Sequence, residues 1–69
     1  MNEFLTVLRD RIDAAQHGLE QAEKAGHEHE VHLHSARLLD LVDCATSHGV
    51  DTTEWVPSVV LATATRSVR

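Results

Sequence analysis

Four of the chain's six histidines, His27, His29, His32 and His34, fall inside the stretch "GHEHEVHLHSAR". Imidazole ligates zinc and nickel and also changes charge near neutral pH, so the cluster admits three roles: a metal site, a proton-operated switch, or the polar start of a helix. Each role demands its own geometry. A tetrahedral ion needs ligands converging to about 2.0–2.1 Å from the metal, whereas a switch needs one ring pressed against a surface that tolerates only one of its charge states. A second pair, Cys44 and His48, is spaced i, i+4 and would set a thiol beside a base on one helix face, the first requirement for an activated nucleophile.

The patterns that make such residues diagnostic are missing. A zinc-protease helix reads His-Glu-x-x-His, but His29-Glu30 is followed in the fifth place by Leu33, and His27-Glu28 by Val31. Cys44 is the single cysteine, which excludes a zinc knuckle and an internal disulfide and suits a reducing cytoplasm. Catalysis at Cys44 and His48 would also need an oxyanion hole and a pocket, and a free cysteine is most often a small buried hydrophobe. The chain therefore reads as non-enzymatic, with no cofactor.

The elements that carry these residues read as helices. Leu5, Leu8, Ile12, Ala15, Leu19 and Ala22 recur at alternating spacings of three and four, which predicts a helix over residues 3–25, with Asn2 as N-cap and Gly26 as its C′ residue. Beside that seam runs a second stripe of small residues, Val7, Ala14, Gly18 and Ala25. A helix-interior glycine costs about 1 kcal/mol relative to alanine, a cost that close approach of another backbone at Gly18 would explain. A second helix is expected over 28–48, with Val31, Leu38, Leu41, Val42 and Ala45 inward, Glu28 and Glu30 in its first turn, and His48-Gly49-Val50 as its end. The short link near Gly26 predicts an antiparallel helical hairpin.

"VDTTEWVP" signals a third start, with Asp51 as N-cap, Glu54 three residues on, and Val50 stapled to Trp55. Pro57 belongs at position N1, so one short turn over residues 52–55 and a fresh or kinked helix from 57 are expected within the third element, about 52–67. Val60, Leu61, Ala64 and Val68 would face inward. "VVLATAT" is rich in β-branched residues, yet no second strand-like run exists to pair with it.

On the second helix at about 100° per residue, the four imidazoles diverge. His29 and His32, spaced i, i+3, remain the weak metal candidates, and His34, at the edge of the apolar seam, the candidate pH-sensitive residue. Glu28 before His32 and Glu30 before His34 leave the direction of any pH effect open.

Sixty-nine residues allow a single domain, 1–69, whose core is marginal without a metal, a disulfide or a partner chain. A net charge of −5 argues against phosphate-backbone binding, the basic residues Arg66 and Arg69 at the end notwithstanding, and no apolar run approaches the ~18 residues of a membrane span. The start lacks the pattern of a secretory signal. The reading is an all-α fold, a hairpin plus a shorter C-terminal helix, paired into a homodimeric helical bundle in the cytoplasm. Its function is a protein-interaction or regulatory module, with Val7, Ala14, Gly18, Ala25 and Trp55 as the interaction residues. A His-rich zinc- or nickel-binding protein ranks second, and an acidic inhibitor of a basic protein site, through faces such as Glu20, Glu23, Asp40 and Asp43, third.

Overall fold

The computed structural model describes residues 3–68 and contains three helices, α1 (Glu3–Ala25), α2 (Glu28–Ser47) and α3 (Ser58–Ser67), with no strand among the described residues. Asn2, expected as the N-cap of α1, and Arg69 lie outside them. The fold is all-α. Leu8, Ile12, Ala15, Leu19 and Ala22 of α1 are buried, and with Leu38, Ala45, Val56 and Ala64 they make most of the core. No helix among the described residues is long and apolar enough to cross a membrane.

Both long helices stop for the same reason. At Gly26 (φ 73°) and Gly49 (φ 74°) the backbone turns left-handed, a conformation cheap only for a residue without Cβ. His27 N–H then donates back to the Ala22 carbonyl (3.0 Å) and Gly26 N–H to Glu23 (3.2 Å), while Val50 N–H donates to Ala45 (2.8 Å) and Gly49 N–H to Thr46 (3.0 Å). These paired bonds satisfy carbonyls that a helix end leaves orphaned, the Schellman arrangement. Residues packed between α1 and α2 run in opposite order along the chain: the space at Gly18 meets the His34 ring, and Phe4 lies against His48 with centroids 4.9 Å apart.

The third start has the expected turn and restart, but Asp51 and Pro57 hold other places in it than expected. Asp51 accepts hydrogen bonds from the Thr53 amide (2.9 Å) and the Thr53 hydroxyl, a local turn instead of a helix cap. The Thr52 carbonyl accepts from Trp55 and Val56 (both 2.9 Å), closing one turn that puts Val56 and Thr52 inside at 1% and 8% exposure. Pro57 holds the N-cap position of α3, not N1: its ψ of 146° is extended, and its carbonyl accepts the first helical bonds, from Val60 (2.9 Å) and Leu61 (3.2 Å). Proline serves there because the N-cap needs only its carbonyl. The β-branched run is helical, and Thr63, Thr65 and Ser67 each donate a hydroxyl to the carbonyl four residues back.

Candidate functional site

The histidines of the 27–34 stretch point four ways, each held by a different neighbour or by none. His27, at the N-cap of α2, donates through Nδ1 to Glu30 Oε2 (2.7 Å). His32 reaches α3, where its Nδ1–H donates to the Ser67 carbonyl (2.9 Å); His29 is exposed. His34 lies over Gly18, so near that a Cβ there would sit 2.6 Å from its Cε1. The neighbour that Gly18 admits is therefore an imidazole of the same chain and not a second backbone. Among the described residues no three His, Cys, Asp or Glu side chains gather where one ion would be held, and His29 and His32 are not brought together with a third donor.

At the other end of α2, His48 Nδ1 is 4.0 Å from Cys44 Sγ but 2.8 Å from the Cys44 carbonyl. A carbonyl only accepts, so this nitrogen carries the proton and is no base toward the thiol. Trp55 is half-buried against the core. The Gln16 amide donates to its carbonyl (2.8 Å), and the Arg9 guanidinium stands 5.9 Å from its ring centroid. That seating ties the turn to α1 and fits a staple.

What the structure leaves open is the groove between α1 and α2. One hollow of about 460 Å³ is lined by Arg11, Ala14, Ala15, His34, Arg37 and Leu41. A second, of about 360 Å³, lies between Gly18, Ala25, His27, Glu30 and His34, and a third, of about 240 Å³, is set among Glu30, Leu33, His34 and Arg37. His34 borders all three: the first two are lined by both helices and the third by α2 alone, so the furrow continues past the His34 ring onto α2, and no residue of α3 lines it. Val7 is 49% and Leu33 52% exposed. No family model, curated protein or solved structure matches this chain.

Charge in the furrow is unevenly laid. Arg11 and Arg37 line one end and enter no ion pair among the described residues, where the pairs are Lys24 with Glu20 and His27 with Glu30. Glu30 lines the other end. Of the residues expected in contacts, Ala14, Gly18 and Ala25 do line this furrow, and Trp55 does not. Arg11, Leu33 and Arg37 escape a reading that counts only small and inward residues. Their spacing carries the signal, because Val7, Arg11, Ala14 and Gly18 on α1, and Glu30, His34, Arg37 and Leu41 on α2, each follow the alternating three-four row of a helix-packing seam.

Proposed function

We propose that this chain is a small non-enzymatic interaction module that works through helix–helix contacts as a cytoplasmic homodimer, with the α1–α2 face as the contact. In this reading α1 and α2 form an antiparallel hairpin, α3 covers one side of it, and a second copy covers the other. The observation that carries it is the furrow: two seams of regular helix-packing spacing, bordered by the exposed Leu33, with no helix among the described residues lying over them. Apolar side chains in a continuous groove favour burial against a partner at roughly 25 cal/mol per Å². A chain of 7.6 kDa has the most to gain, because so small a core leaves folding marginal. A standard interface takes about 800 Å² per partner, a modest share of the 4903 Å² that the chain exposes. Against a nucleophile at Cys44 stands the His48 nitrogen nearest to it, committed to a carbonyl.

Light scattering tests the proposal. The expected mass is twice 7.6 kDa at micromolar concentration, with Leu33→Ser and Val7→Ser lowering association while leaving helix content unchanged. A wild-type monomer across the micromolar range contradicts it.

A further inference from the structure

We infer that the second copy lies across the furrow with its α2 antiparallel to α2 of the first, on a two-fold axis beside Leu33 and His34, so that Arg37 of each chain pairs with Glu30 of the other. The inference rests on the homodimer reading and names the register of its contact. A closed dimer joins identical faces about an axis lying in the contact plane. That axis runs either along the helices or across them.

An axis along the helices keeps every residue at its own level. It gathers Arg11 and Arg37 of both chains at one level, because each helix then faces the partner's other helix and these two residues border the same hollow. These guanidiniums pair with no carboxylate among the described residues, and like charges gathered within a Debye length of about 8 Å repel. An axis across the helices instead exchanges the two ends of the furrow. Arg37 and Glu30 are two helical turns apart, about 10.5 Å along the axis, and border the same hollow with Leu33 and His34 between them. The midpoint of their exchange falls between residues 33 and 34. There it lays Leu33, 52% exposed, onto the partner's Leu33, and carries Arg11 away from the partner's Arg11. One arrangement thus buries the open leucine and gives each Arg37 a carboxylate partner in a single step.

The donors and acceptors suit the exchange. Glu30 gives one carboxylate oxygen to His27, and its other oxygen is available to a guanidinium, which presents several N–H groups in a planar fork. Such a pair at the edge of an apolar contact chiefly fixes register and orientation.

Sedimentation equilibrium of the full chain at low salt, with circular dichroism as a check on folding, tests the register. Arg37→Glu and Glu30→Arg alone are each expected to weaken dimerisation by about tenfold or more, as truncation or reversal of a paired interfacial charge does, and the two together to restore it. A further readout is independent of these charges: Leu33→Cys in a Cys44→Ser background is expected to form a disulfide-linked dimer under mild oxidation. Single reversals that dimerise like wild type, or a dimer that Leu33→Cys fails to cross-link, overturn the register and leave the homodimer standing. A wild-type chain that stays monomeric overturns both.

Discussion

An alanine at position 18 ought to stabilise α1, since alanine is favoured over glycine in a helix interior by about 0.8–1.0 kcal/mol. Here the new Cβ would meet the His34 ring at 2.6–3.0 Å, so the ring must swing out and forfeit its contact with α1. Gly18→Ala is therefore expected to leave stability nearly unchanged, and to recover its full gain of about 1 kcal/mol only in a His34→Ala background, the non-additivity of touching residues. Urea titrations of the four chains measure it, and a full gain with His34 present would show that the imidazole rests elsewhere. Ser35 makes the opposite case. It is 0% exposed and its hydroxyl has no hydrogen-bond partner among the described residues, a state that costs about 1–3 kcal/mol. Ser35→Ala keeps the size nearly constant and removes the orphan, so a gain of about 1 kcal/mol and a rise of roughly 4–8 °C in Tm are expected for a domain of this length. A fall in Tm on calorimetry would mean that the hydroxyl is bonded.

At the scale of elements, α3 depends on a histidine that the cluster's composition alone suggests for other work. His32 donates to the Ser67 carbonyl in the last turn of α3, one of the acceptors a helix end leaves unpaired. His32→Ala should cost about 0.5–1.5 kcal/mol and loosen that turn first. Hydrogen exchange is expected to show lost protection at the end of α3 with α1 unchanged, and uniform loss across all three helices would refute the local role. The turn before α3 responds to acid. The Thr53 hydroxyl and amide bonded to Asp51 hold its carboxyl below the ordinary value of 3.8, so its support of the turn is complete above that value and fades as pH falls through the lower folded-state pKa. These elements were largely legible in the sequence, because the core seam of α1 repeats without interruption and both long helices end at a glycine followed by a donor amide. The position of Ser35 was legible too, four residues after Val31 and three before Leu38, but its type reads as polar and hides it. Pro57 fell one place from expectation because N-cap and N1 differ only in ψ, which residue identity does not encode. Contacts such as His34 on Gly18, and the furrow they divide, depend on the stagger of α1 against α2, which no periodicity within one helix specifies.

For the whole molecule, size sets the terms. The chain extends 38 × 19 × 16 Å, about the length of α1 and hardly more than one helix layer thick beyond the pair, so much of its apolar surface has little protein to lie under. Folding and association then become one equilibrium if the furrow is a dimer contact, and the stability of a protomer depends on how many others surround it. The melting temperature is the measure that separates this from an independent monomer. A tenfold rise in chain concentration is worth about 1.4 kcal/mol per dimer, which for two chains unfolding together corresponds to a shift of roughly 3–6 °C. Thermal melts over two decades of concentration are expected to show that climb in wild type and to show it displaced to lower temperature in Arg37→Glu, by about the shift that a tenfold dilution of wild type produces. A wild-type Tm independent of concentration would mean that the three helices carry their own stability, and that the open groove contributes nothing to holding the fold together.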